Sequence, residues 1–409
     1  MAQSAAEITE GAARAAAPPE DRPAPVRRRP RDRKAQIVAA AARLFWERGY
    51  HQVGMADIAG AVGIGASALY RHFRGKGDLL AAVLTESLTD LERVLAGSGD
   101  LDGQLGGVAS AVLAHREYAA LWERAPGQLP AREFEELKAR HRAAQARLTA
   151  IVAGALAERG VTEPAEVALR TRAVASVELS PSHHRTQLDA GEFVTLLHRC
   201  ASAVLAVPLP PSGDRPGTAA PKDPQLPVSR REALLAAASA LFAERGYSAV
   251  SLDDIGAAIG IAGPSVYNHF QSKADVLLSV LHRGNEALWF ALHQALASAQ
   301  GPSDALGRLL DSYITIMASN PEIITVLLSE AASLPGELRT DFRRTQRDYV
   351  AEWVALLRRS RAELSEPAAR VLVHTALGLV NSLCRSRPTP GRHTLEADLG
   401  ALCRAVLRT

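Results

Sequence analysis

Tyr70, His72 and Lys76 recur unchanged as Tyr267, His269 and Lys273, each 197 residues further along the chain. The polar residues around them are not the same in the two places. Ser67, Arg71 and Arg74 stand in the first, and Pro264, Ser265, Asn268 and Gln271 in the second. Guanidinium, amide and hydroxyl groups on one short helix suit the edges of base pairs. Arginine pairs with guanine and asparagine or glutamine with adenine, each good pair discriminating by about 1–3 kcal/mol. A lysine three residues after the shared Phe73 or Phe270 is expected to meet a backbone phosphate. The small residues Ala66 and Gly263 let the start of that helix press into a groove, with its free N–H groups toward phosphate.

The elements that must hold these groups are repeated as well. Leu44-Phe45-Trp46-Glu47-Arg48-Gly49-Tyr50 returns as Leu241-Phe242-Ala243-Glu244-Arg245-Gly246-Tyr247. Roughly half of about 48 aligned positions are identical without a gap, a duplicated domain rather than a solenoid repeat. Ile37, Ala41, Leu44 and Phe45, and then Leu234, Ala238, Leu241 and Phe242, form one apolar helical stripe. Gly49 and Gly246 stand where a helix should end. A second helix is expected from Met55, Ile58 and Val62 and from Leu252, Ile255 and Ile259, with Ser251 and Asp254 forming a capping box. Gly63 and Gly260 permit the sharp turn that follows, and Leu69/Phe73 or Val266/Phe270 point a third helix inward. Three short helices with one tight turn form a helix-turn-helix.

The 409 residues, with few aromatics and much Ala, Leu, Arg and Glu, suit an all-α chain of two copies. Residues 1–30 read as a disordered tail whose basic end, Arg27 to Lys34, could lie along phosphates. Expected next are a first head over 31–78 and a first body over 79–207. A Pro-rich linker over 208–228 separates these from a second head over 229–275 and a second body over 276–409. Cys200, Cys384 and Cys403 make no disulfide framework, and no apolar run is long enough to span a membrane; a cytoplasmic protein is the expectation.

Enzyme chemistry finds no foothold. Gly60, Gly63 and Gly65 lack the preceding strand of a dinucleotide site, and His183-His184 lacks metal-ligand spacing, so neither catalytic residues, metal nor cofactor are expected. A sequence-neutral architectural DNA binder is the alternative. It would carry dense basic charge, yet the net charge is +3 and Glu47, Asp57, Glu244, Asp253 and Asp254 lie in the heads.

Leu-Phe-x-Glu-Arg-Gly-Tyr followed by Tyr-x-His-Phe-x-x-Lys-x-Asp resembles the N-terminal domain of TetR-family transcriptional regulators, here present twice. The resemblance, which extends to actinobacterial tandem regulators of this type, implies a DNA-binding head and a helical effector and dimerisation body in each copy. It assigns DNA contact to Ser67, Ala68, Tyr70, His72 and Lys76, and to Pro264, Ser265, Tyr267, His269 and Lys273. Arg71 opposite Asn268 adds a difference between the two readers. The expectation is a ligand-responsive repressor folded as an intramolecular pseudo-dimer on double-stranded operator DNA with two unlike half-sites, with a further homodimer of chains as the alternative assembly. The last two long helices of each copy are expected to join in a four-helix bundle. It should be asymmetric, because Ser180-Pro181-Ser182-His183-His184 cuts one helix short.

For the effector, the second body offers Trp289, Phe290, Tyr313, Met317, Tyr349 and Trp353, with His374 as a polar anchor. These could line an apolar cavity or be helix-packing core. By resemblance the ligand is an apolar molecule: a lipid, an acyl thioester or a steroid.

Overall fold

The first apolar stripe becomes α1 (Pro30–Arg48), with Ile37, Ala41, Leu44 and Phe45 all buried. It ends at Gly49, whose φ of 91° is a conformation L side chains rarely adopt. A 3-10 turn at Tyr50–Gln52 leads to α2 (Met55–Val62). Gly63 at φ 69° then turns the chain into α3 (Ala66–Tyr70), shorter than the expected helix because Arg71 and His72 already belong to the following turn. α4 (Lys76–Leu95) leaves this head and enters the body made of α5 (Leu101–Ala114), α6 (Tyr118–Trp122), α7 (Ala131–Ala157), α8 (Pro164–Leu179) and α9 (Ala190–Ala206). This computed structural model describes residues 30–97, 99–123, 125–211, 227–385, 392 and 394–409. The expected disordered tail, up to residue 29, and most of the Pro-rich linker lie outside them.

The second copy repeats the order. α10 (Arg230–Arg245), α11 (Leu252–Ala258) and α12 (Gly263–Val266) form its head. α13 (Lys273–Ser298), α14 (Pro302–Ser319), α15 (Pro321–Ser329), α16 (Gly336–Ser360), α17 (Glu366–Arg385) and α18 (Leu395–Leu407) form its body. Among the described residues every regular element is a helix, and none is long and apolar enough to cross a membrane.

α8 and α9 of the first copy pack against α17 and α18 of the second. Val174, Val177, Leu197 and Val204 share one apolar core with Leu372, Leu379, Leu402 and Val406. Each such buried side chain contributes about 1.5–3 kcal/mol relative to exposure. Polar contacts fix the register: the Ser180 and Thr375 hydroxyls lie 3.0 Å apart, and Arg385 pairs with Glu123 at 3.1 Å. Arg392 donates to the Pro210 carbonyl at 3.1 Å and pairs with buried Asp398 at 2.6 Å, clamping the end of the first copy onto the second. The asymmetry comes from Pro181. α8 stops at Leu179 and gives way to a 3-10 turn, Ser180–His183, whereas α17 runs on to Arg385.

Glu178 is fully buried in this bundle and neither carboxylate oxygen has a hydrogen-bond partner among the described residues. Burial pushes its carboxyl up to about 8. In the unfolded chain it ionises near its usual value of 4.5, so stability falls as pH rises from there and the penalty is complete above about 8. Glu178→Gln is therefore expected to raise the denaturation midpoint at pH 9 and change it little at pH 4. Equal midpoints at pH 9 would contradict this burial.

Candidate nucleic-acid interface

Both recognition units present a tyrosine to solvent, Tyr70 at 53% exposure and Tyr267 at 61%. A single exposed ring is ordinary; the informative point is that the same ring is exposed at the equivalent position of both heads. Ser67, Arg71 and His72 are exposed beside Tyr70, and Ala68 is half-buried. In the second head Pro264 and Asn268 are exposed beside Tyr267, while Ser265 and His269 are half-buried. Leu69 and Phe73, or Val266 and Phe270, sit behind them in the head core and hold each short helix in place. A cation from the first helix of each head covers that phenylalanine: Lys34 over Phe73 at 5.6 Å and Arg231 over Phe270 at 4.7 Å.

Two sequence expectations change at this surface. Lys76 and Lys273, expected to meet a backbone phosphate, have their ammonium groups turned onto the head itself. Lys76 Nζ donates to the carbonyls of Tyr50 at 2.7 Å and Val53 at 3.0 Å, and Lys273 Nζ to those of Tyr247 at 2.9 Å and Val250 at 2.8 Å. Each ammonium also lies 4.3 Å from the centre of that tyrosine ring. The flexible stem turns inward because the 3-10 turn leaves carbonyls with no helical partner. Arg74, although exposed, is held by Asp78, Nε to Oδ2 at 2.9 Å, and approaches Glu133 at 3.9 Å. It therefore faces an open depression of about 540 Å³ between head and body, lined also by Gly77, Gln128 and Pro130. Of the exposed differences next to the tyrosines, Ser67 opposite Pro264 and Arg71 opposite Asn268, the second pairs two side chains that can each read a base edge.

The second body holds the aromatic side chains in two environments. Tyr313 and Trp353 meet edge to face at 5.7 Å, Tyr349 and Trp353 at 6.3 Å, and Trp289 and Tyr349 at 5.7 Å. The Tyr313 hydroxyl donates to Asn381 at 2.8 Å, and buried Met317 lies one turn further along α14. Trp289 Nε1, the Tyr349 hydroxyl and Trp353 Nε1 are buried without a hydrogen-bond partner among the described residues. Phe290 is not part of this cluster: it is 66% exposed, turned about 100° around α13 from Trp289. His374 is elsewhere too. Its ring stacks on His184 of the first copy at 4.5 Å, and burial beside Arg370 and His183 holds it down at about 4, so it is neutral.

The family described as "Bacterial regulatory proteins, tetR family" matches twice, at residues 37–83 and 234–280, and "Tetracyclin repressor-like, C-terminal domain" matches 299–396. The HTH-type transcriptional repressor KstR2 of Mycolicibacterium smegmatis is 32% identical over 146 residues, which cover 35% of this chain and 71% of that protein. The chain belongs to the TetR family. The HTH-type transcriptional activator FasR of the same organism is 35% identical over 104 residues, covering 25% of this chain and 45% of its own. Among solved structures, the ketosteroid transcriptional regulator KstR2 of Mycobacterium tuberculosis is 23% identical with a TM-score of 0.40, covering 44% of this chain and 95% of that one.

As a TetR-family protein the chain is a DNA-binding transcriptional regulator, with the head duplicated. Sequence reasoning missed the residues that fix the first head from behind. Arg116 and Arg185 show no motif and Trp46 is the variable position of the repeated string; the partners of all three are main-chain carbonyls.

Proposed function

We propose that this regulator engages one operator with both heads of a single chain, as an intramolecular pseudo-dimer, and that the two half-sites differ. The observation that carries this reading is the pair of exposed tyrosines flanked by unlike readers, Arg71 in one head and Asn268 in the other. With the bundle helices of both copies engaged with each other, one chain supplies what two chains supply in a symmetric dimer. Ser67, Ala68, Tyr70, Arg71 and His72 contact one half-site, and Pro264, Ser265, Tyr267, Asn268 and His269 the other. The half-sites lie about one helical turn apart. Mass in solution and footprinting test this together: a monomer protecting one asymmetric site is expected. A dimer of chains on a perfect palindrome would refute it.

The action is repression relieved by an apolar ligand, such as a lipid, an acyl thioester or a steroid, bound among Trp289, Tyr313, Met317, Tyr349 and Trp353. Buried polar atoms in this aromatic cluster, above all Trp289 Nε1 with no partner among the described residues, support that reading, since a ligand's carbonyl or hydroxyl would satisfy them. The rings touch one another, so a ligand must part them. Titration with fatty acids, acyl thioesters and steroids is expected to quench tryptophan fluorescence for one class and release the operator. Tyr349→Phe should weaken that ligand by about tenfold, the loss of one good hydrogen bond. Quenching with no change in operator affinity would sink the effector role.

A further inference from the structure

Both heads have an apolar seat on their bodies, but only the first is also held by a polar strap. In the second copy the fastening is apolar. Val326 and Leu327 of α15, with Ala331, Leu334 and Phe342, belong to the same core as Phe242, Ile255, Val266 and Phe270 of the head. In the first copy the head is likewise continuous with the apolar core of its body, Leu44 and Phe45 with Tyr118, Leu121 and Leu129, and a polar strap is added to it. The residues that interrupt α8, Ser180 to Arg185, run across the end of α1.

Arg185 Nη2 donates to the carbonyls of Trp46 at 3.0 Å and Glu47 at 2.8 Å. These are among the last carbonyls of α1, which have no partner within the helix and carry its negative dipole end. Trp46 Nε1 donates back to the Ser182 carbonyl at 3.3 Å. The indole is flanked by two guanidinium groups, Arg185 at 5.3 Å and Arg116 at 5.5 Å from the ring centre. Arg116 in turn organises the strap itself, donating to the carbonyls of Pro181 at 3.1 Å, His184 at 2.8 Å and Thr186 at 3.1 Å. The far side of the strap is anchored in the bundle, through Ser180 against Thr375 and His184 against His374. Head two has Ala243 at the place of Trp46 and cannot make the equivalent clasp.

We propose that the Ser180–Arg185 strap positions the first head for operator binding, with Arg185 and Trp46 as the positioning residues, by referencing that head directly to the bundle between the copies. The second head is referenced instead to α15 of its own body. The consequence for DNA rests on the two-headed reading above: the strap fixes where the first recognition helix stands relative to the second, and therefore the half-site separation the protein accepts.

The test reads head position with and without DNA. Spin labels on Gln52→Cys and Gln145→Cys report the first head against its body, and labels on Ser248→Cys and Glu352→Cys report the second. Cys384, half-buried, is replaced by Ser, and the fully buried Cys200 and Cys403 are left in place. Arg185→Ala, an exposed position, and Trp46→Ala are expected to broaden the first distance distribution and leave the second unchanged. Arg185→Lys, which keeps a cation at the helix end, should recover most of the sharpness. In parallel, operators lengthened or shortened by one base pair between half-sites are expected to be rejected about tenfold by the parent protein and far less by Arg185→Ala. An unchanged first distribution overturns the proposal, as does broadening of both heads together, which would mean general loosening. If the parent protein shows no two-part footprint, the two-headed reading fails while the label distances still decide the strap.

Discussion

Arg71→Asn is expected to move the preferred operator toward a symmetric sequence. Arg71 is exposed next to Tyr70, and Asn268 holds the same place next to Tyr267. Arginine presents two parallel donors that match the two acceptors of guanine, while asparagine offers a donor and an acceptor that match adenine. Replacing one by the other removes a matched pair on the native half-site. The cost is about 1–3 kcal/mol, or roughly 5- to 150-fold in affinity. The same variant should regain affinity on an operator in which that guanine is changed to adenine, and Asn268→Arg should show the mirror behaviour on the other half-site. Selection of binding sequences from a random pool reads this directly. An equal loss on every sequence would instead place Arg71 on the phosphates, because backbone contacts carry no base information.

The heads were legible in the sequence to the level of single residues. Their apolar stripes obey one helical period, and Gly49, Gly63, Gly246 and Gly260 sit at positive φ, where the sequence placed turns. Pro181 likewise announced the break in α8, because proline cannot donate the next helical hydrogen bond. What could not be read was any partner far away along the chain. His374 was expected near a ligand, yet its ring meets His184 of the other copy, a pairing that exists only once the bundle has formed. Phe290 and Trp289 are adjacent in sequence but about 100° apart around α13, so composition alone grouped them. Arg116 and Arg185 were silent for another reason. They bind main-chain carbonyls, and every residue has one.

The lysines show how far this matters for experiment. A lysine just after a recognition helix invites a phosphate contact, and its removal would then lower the salt dependence of binding by about one ion per lysine. The geometry gives a different result for Lys76→Ala and Lys273→Ala. Each substitution strips two half-buried carbonyls of their donor, Tyr50 and Val53 in one head, Tyr247 and Val250 in the other. An acceptor left without its hydrogen bond costs about 1–3 kcal/mol. A cation over the tyrosine face is lost as well, at about 0.5–1 kcal/mol. The carbonyls belong to the segment that leads from the first helix to the second, so loosening it disturbs the helix-turn-helix from within. Both variants are therefore expected to lower the denaturation midpoint of the affected head, while the logarithmic salt slope of operator binding stays at the parent value. A slope reduced by one with stability intact would return these lysines to the DNA surface. The same pair of bonds is built at both ends of the 197-residue offset, which explains on folding grounds why this lysine is identical in both copies while Arg71 and Asn268 differ.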